Sequence, residues 1–251
     1  MPAALVTGAG QRVGSAIAKA LAGAGYAVAL HHRGSKAGAE AVAAEILAAG
    51  GRAACVQADL ADWDAVERLV PAASAALGEA LDLLVCNAST FEDDTAQDFT
   101  AQSWAHHMDV NLRAPCQLAQ AFAAQLPERR DGAIVNLIDH RVWKLTPKFF
   151  SYTLSKAALE TATKTLAQSL SPRIRVNGVG PGPSIRNARQ SEADFAAQVD
   201  ATLLRRASDP GEIAAAVLYL AQARAVTGQM IAVDSGQHLI WRTPDVDGVV
   251  E

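Results

Sequence analysis

The sequence predicts one doubly wound α/β domain, a mostly parallel seven-stranded sheet with helices on both faces. Three observations predict it: short β-like runs alternate with longer helical patterns almost to the end of the chain, a glycine-rich turn follows the first run, and no linker or internal repeat interrupts the series. Ala3 to Thr7 forms the first strand. Val13 to Ala24 is a helix closed by Gly25, a residue suited to a left-handed cap. Tyr26 to His31 is the second strand, Lys36 to Ala49 a helix ended by Gly50-Gly51, and Arg52 to Gln57 the third strand. A helix over Asp62 to Leu77 leads to a fourth strand, Leu81 to Asn87. A long helix over Ser103 to Leu126 follows, with Pro115 expected to bend it, and ends at the polar turn Glu128 to Gly132. Ala133 to Ile138 is the fifth strand, Ser151 to Ser169 a helix and Ile174 to Val179 the sixth strand. After the turn Gly180-Pro181-Gly182-Pro183, residues 187–205 read as a mobile helical flap over the substrate, Pro210 to Ala221 as a helix and Gln229 to Val233 as the last strand. The segment 242–251 is a polar, loosely ordered tail, so residues 1–251 are one domain.

With 251 residues, 50% hydrophobic and 19% charged, the chain has enough apolar material for a sizeable core, which excludes disorder for most of its length. A net charge of -4 gives no electrostatic footprint for nucleic acid. The apolar runs are alanine-rich and broken by charge, so none spans a bilayer. Met1 to Gly8 runs straight into a strand without the parts of a secretory signal, and Cys55, Cys86 and Cys116 lack the spacing of a zinc or redox motif. The expectation is a cytoplasmic protein with reduced, buried cysteines and no metal.

Thr7-Gly8-Ala9-Gly10-Gln11-Arg12-Val13-Gly14 lies between the first strand and the first helix, where glycines let backbone amides approach a pyrophosphate and the helix N-terminus favours an anion. This is the phosphate turn of a Rossmann-type domain. An acid at the end of the second strand would hydrogen-bond the ribose of NAD and repel a 2′-phosphate; this chain instead has His31-His32-Arg33-Gly34-Ser35-Lys36. His32, Arg33 and Ser35 therefore point to NADP. Asp59-Leu60 and Asn87-Ala88-Ser89 follow the third and fourth strands, at the sheet end where ligands bind; Asp59 is a candidate for the adenine and Asn87 for the cofactor cleft, with local caps as the alternative.

Tyr152 and Lys156 are four residues apart at the start of a helix and share one face. An ammonium near a phenol is expected to lower the phenol's pKa and suit it to proton delivery. Together with Thr7-Gly8, Asn87-Ala88, Asn111 and Asp139, this pair resembles the short-chain dehydrogenase/reductase family across nearly the whole chain. The resemblance implies that Asn111, Tyr152 and Lys156 fill three places of that family's catalytic tetrad. It also implies that Gly8, Arg12, Val13, Ala88, Leu60, Pro181, Gly182 and Ser184 meet the cofactor together with Tyr152 and Lys156, and that the helices over 103–126 and 151–169 assemble a homotetramer.

The fourth place departs from the family, because Asp139, thirteen residues before Tyr152, stands where most members have serine. An ionised carboxylate cannot donate to a substrate carbonyl, but it can accept from Tyr152, relay a proton or hold an amidine-like nitrogen. Arg12 and Ser89 each replace a usual glycine. With Gly180 to Ser184, these departures resemble the pteridine reductase branch and the bacterial dihydromonapterin reductases. That resemblance implies a pterin held by Arg12, Ser89, Phe91, Asp139 and Tyr152, with Phe91 stacking on the flat ring. The expected reaction is NADPH-dependent reduction of a dihydropterin or dihydrofolate to the tetrahydro form; reduction of another carbonyl or imine, or a non-catalytic dinucleotide sensor, are the rivals. His106-His107 have no partners at metal spacing and read as structural or surface residues, and Phe149 and Phe150 as packing. Trp104, Trp143 and Trp241 are left open between a pocket and an oligomer interface.

Overall fold

The computed structural model describes residues 1–187, 189–243 and 247. Seven strands form one sheet: β1 (Ala3–Val6), β2 (Ala27–His32), β3 (Arg52–Gln57), β4 (Leu83–Cys86), β5 (Gly132–Leu137), β6 (Ile174–Pro181) and β7 (Met230–Val233). Their order is β3-β2-β1-β4-β5-β6-β7, and every neighbouring pair is parallel, so the sheet is wholly rather than mostly parallel. The order reverses between β1 and β4, which opens a crevice beyond their C-terminal ends.

Both faces are covered, as the unbroken apolar character of the central strands requires. One face carries α1 (Arg12–Gly23), α2 (Lys36–Ala48) and α8 (Pro210–Gln222), whose Ile17, Leu21, Ile46, Ile213 and Val217 are buried against Val28, Leu30 and Val85. The other carries α3 (Trp63–Leu77), α5 (Ala114–Gln125) and α6 (Phe150–Leu170), around Leu69, Leu84, Leu118, Phe122 and Ile134. Alanines let these helices lie close to the strands.

The expected long helix is three pieces: α4 (Ala101–Met108), a π-helical turn (Asp109–Arg113) and α5. Pro115 has no N–H to donate to the carbonyl of Asn111, and the wider turn lies immediately before it. The turn that was expected to begin at Gly180 instead continues β6 to Pro181, paired with Val233. Within 187–205 the regular element is α7 (Glu192–Asp200), started by Ser191, whose hydroxyl accepts from the amide of Asp194. Most of the 242–251 tail lies outside the described residues. Of the cysteines, only Cys86 is fully buried; Cys55 and Cys116 are half-buried, and all three are free.

Candidate active site

A cleft of about 1190 Å³ lies over the C-terminal ends of the strands, at the point of reversed strand order. Every candidate site residue named from the sequence lines it except Asn111 and Lys156, which are buried behind its wall. None of the three tryptophans left open reaches it: Trp104 leans on Phe99, Trp143 on His238, and Trp241 lies beneath Arg242.

At one end is the glycine turn. Gly8 has φ +64°, and a Cβ on Gly14 would stand 2.1 Å from the carbonyl oxygen of Gly8, so the helix approaches the strand only with glycine there. Arg12 occupies the left-handed region with φ 52°, the conformation that explains why glycine is usual at its place; its guanidinium donates to the carbonyl of Ile185 at 2.7 Å. Thr7 stitches β1 to β4: its hydroxyl accepts from the amides of Asn87 and Ala88 at 2.9 Å each, while the Asn87 amide group donates to the carbonyl of Thr7 at 2.8 Å. Asn87 thus both lines the cleft and ties its floor. Asp59 does cap locally, accepting from the amide of Ala61 at 2.9 Å, and still lines the cleft.

The buried Nδ1 of His32 and the hydroxyl of Ser184 both face this cleft without a hydrogen-bond partner among the described residues. Together with the exposed guanidinium of Arg33 and the hydroxyl of Ser35, which makes no capping bond to α2, they form a donor set fitted to a phosphorylated dinucleotide. His31 was not among the candidates. Its Nδ1 accepts from the amide of Gly8 at 3.1 Å, its Nε2 donates to the carbonyl of Ala58 at 3.1 Å, and burial lowers its pKa to about 4. A neutral imidazole therefore braces the phosphate turn.

At the other end, the Tyr152 hydroxyl donates to Asp139 Oδ2 at 2.7 Å. Asp139 Oδ1 accepts from the amide of Arg141 at 2.8 Å and lies 3.0 Å from His140 Nδ1. Burial raises the Asp139 pKa, but the contact with His140, the Arg141 amide and the Arg141 charge outweigh it and hold the carboxyl below its ordinary value. The expected lowering of the tyrosine pKa is not found. Burial, then the Asp139 charge and hydrogen bond, raise Tyr152 well above 10, and the Lys156 ammonium donates instead to the carbonyl of Leu137 at 2.8 Å. Burial brings Lys156 down to about 8. Within the protein alone, the pair is a neutral phenol on an ionised carboxylate.

Asn111 sits in the π-helical turn, where its side-chain oxygen accepts from Ser89 Oγ at 3.0 Å and the Thr90 amide at 2.9 Å, and its amide group donates to Ser155 Oγ at 3.1 Å. It holds the Ser89 loop to α6. Phe91 points into the cleft, edge-on to Tyr152 at 4.7 Å, and one of its faces is stacked by Phe149 at 4.2 Å. Phe149, expected only to pack, therefore lines the site as well, from a left-handed conformation with φ 55° at the start of α6. Phe150 packs on Phe99 as expected. The Arg141 guanidinium lies 4.9 Å from the Phe149 ring centre and 5.7 Å from that of Phe91, a contact with no signal in the sequence. Among the described residues no group of three metal-ligating side chains occurs, and no helix is long and apolar enough to cross a membrane.

Residues 8–238 match the family model described as enoyl-(acyl carrier protein) reductase. The chain is 48% identical to FolM alternative dihydrofolate reductase 1 from Brucella canis, solved with NADP, over 98% of this chain and 97% of that one, with a TM-score of 0.94. It is 37% identical to an oxidoreductase of Methylorubrum extorquens over 93% of this chain and 96% of the relative. It is also 34% identical to the 3-oxoacyl-[acyl-carrier-protein] reductase FabG of Staphylococcus epidermidis, over 94% and 98%. By the family model over residues 8–238 and by these relatives, the chain belongs to the short-chain dehydrogenase/reductase family.

Proposed function

We propose that the protein is an NADPH-dependent reductase of a pterin ring, acting on a dihydropterin or dihydrofolate. The observation that supports this most is the 2.7 Å bond from Tyr152 to Asp139, because a carboxylate stands where ketone reduction needs a hydroxyl donor. NADPH, when bound, supplies the hydride. The chain's own part is to hold the flat ring and deliver a proton to the ring nitrogen beside the reduced carbon. Tyr152 carries that proton; Asp139, held ionised, orients the phenol and accepts from the N–H groups on the ring's edge. Lys156 and Asn111 lie behind the wall, the first a buried cation 5.9 Å from the centre of the Tyr152 ring and the second the clasp of the Ser89 loop. Phe91 supplies the aromatic wall, Arg12 and Ser89 polar contacts at its edge, and Arg33 the partner of the 2′-phosphate. Assembly as a homotetramer, which rests on the family resemblance, and a cytoplasmic place of action, which rests on the cysteine usage and the N-terminal sequence, accompany this reading.

The FabG relative favours a second reading, reduction of a 3-oxo group on an acyl chain. NADPH oxidation measured across dihydropterins, oxidised pterins, dihydrofolate and simple 3-oxo esters separates the two. Turnover of pterins above that of ketones is expected; the reverse order overturns the pterin reading. Binding of NADPH with no turnover of any of them would leave a sensor. In the same assay Arg33→Ala should raise KM for NADPH about tenfold or more and leave NADH nearly unchanged. Equal use of both cofactors by the parent protein contradicts the role given to Arg33.

A further inference from the structure

His107, set aside as structural from its sequence context, lies at the centre of a buried chain of hydrogen bonds that runs in one direction. The amide of Glu92 donates to His107 Nε2 at 3.1 Å, which leaves the ring proton on Nδ1. Nδ1 donates to the Ser151 hydroxyl at 2.7 Å, and that hydroxyl donates in turn to Asp94 Oδ2 in a short bond. Asp94 Oδ1 accepts from the Ser151 amide at 2.9 Å, and the Asp94 carbonyl accepts from the Phe150 amide at 3.0 Å. His107 and Ser151 are fully buried and Asp94 nearly so.

Serine, histidine and aspartate are the residues of a nucleophilic triad, but the order here is wrong for one. The serine gives its proton to the carboxylate, the imidazole is a donor toward the serine, and solvent does not reach the hydroxyl. What the chain does is mechanical. It clamps the loop bearing Phe91 and Glu92 to the start of α6, where Phe149 precedes the helix and Tyr152 stands in its first turn, and the His107 ring itself stands edge-on to Tyr152 at 5.9 Å. Burial lowers the His107 pKa and outweighs the opposing charges of Asp94 and Glu92, in keeping with an Nε2 that accepts.

We propose that His107 is a positioning residue of the substrate site: its Nε2 sets the Phe91 loop, and so the aromatic wall, against the Tyr152 hydroxyl. The role assigned to that wall rests on the pterin reading; the placement of Phe91 does not. His107→Phe fills the same space without nitrogen. His107→Gln keeps an acceptor near the Nε2 place, and His107→Asn keeps a polar group near Nδ1 only. The expected result for the Phe and Asn variants is a KM for the dihydropterin raised about fivefold or more, a smaller change in kcat, and an NADPH affinity within about twofold of the parent. The Gln variant should return KM toward the parent value. Parent KM in the Phe variant, parallel loss of NADPH affinity, or equal KM in the Gln and Asn variants overturns the proposal. Should the Phe variant not fold, the Gln and Asn pair decides it alone. Crystal structures of the Gln and Asn variants supply a readout that needs no substrate: the 4.7 Å contact of Phe91 with Tyr152 should persist in the first and be lost in the second. A parent that reduces no pterin fails the earlier reading, while an unmoved Phe91 in the Asn variant fails this one.

Discussion

A phenol with a raised pKa on an ionised carboxylate behaves as one unit rather than two independent groups. If Asp139 and Tyr152 deliver the proton together, Asp139→Ala and Tyr152→Phe should each lower kcat by about a hundredfold or more, and the double variant by little beyond either single change. Losses that multiply would show that the two act separately. The members of this pair were legible in the sequence, because the four-residue spacing of Tyr152 and Lys156 and the odd carboxylate at Asp139 stand out against the family pattern. Their electrostatics were not. Spacing says that Lys156 shares a helix face with Tyr152, but the ammonium is spent on the carbonyl of Leu137, a partner nineteen residues away. His107 was read as structural or surface and is structural, fully buried, but its partners were not legible: Ser151 is 44 residues distant, and the surrounding sequence carries no mark of that bond.

The turn between β1 and α1 holds an arginine in a conformation that costs an L-residue roughly 1 kcal/mol or more, and strain of this kind persists where function requires the side chain. Arg12→Ala keeps the strain and loses the bond to Ile185; Arg12→Gly loses the bond and the strain together. The glycine variant should therefore be the more stable of the two by about 1 kcal/mol in urea unfolding, while both lose catalytic efficiency. An alanine variant as stable as the glycine one would mean that the turn relaxes around Arg12. Strands and most helices were readable because alternation of apolar runs and the Gly25 and Gly50-Gly51 stops are local signals. The π-helical turn at Asp109–Arg113 was not. Pro115 signalled a break, yet a bend and a widened turn look alike in sequence, and only the second places Asn111 under the Ser89 loop.

Across the whole molecule, stability should fall on mild acidification. His31 has a pKa of about 4 in the folded protein against 6.5 in the unfolded chain, so below pH 6.5 the unfolded chain binds a proton that the folded one refuses. Its stabilising contribution is complete above that pH and declines as pH falls toward 4, by up to about 3 kcal/mol. The lowered pKa of His107 adds in the same direction, and those of Asp94 and Asp139 extend the loss to lower pH, below their ordinary range. Urea unfolding at pH 7.5 and 5.0 measures the slope, and His31→Gln should flatten it; an unchanged slope in that variant would acquit His31. The alternation of elements predicted a mostly parallel sheet and the structure makes it wholly parallel, with a strand order that follows from the two halves winding in opposite directions from β1 and β4. Thr7 is the rivet between those halves. Most residues facing the dinucleotide end precede Ser89, and most facing the chemistry follow it, with Arg12 and the Pro181–Ser184 segment reaching across. On the proposed reading, such a seam would let substitutions after Ser89 change what is reduced while those before it change which coenzyme is read, so that one half could drift without the other being rebuilt.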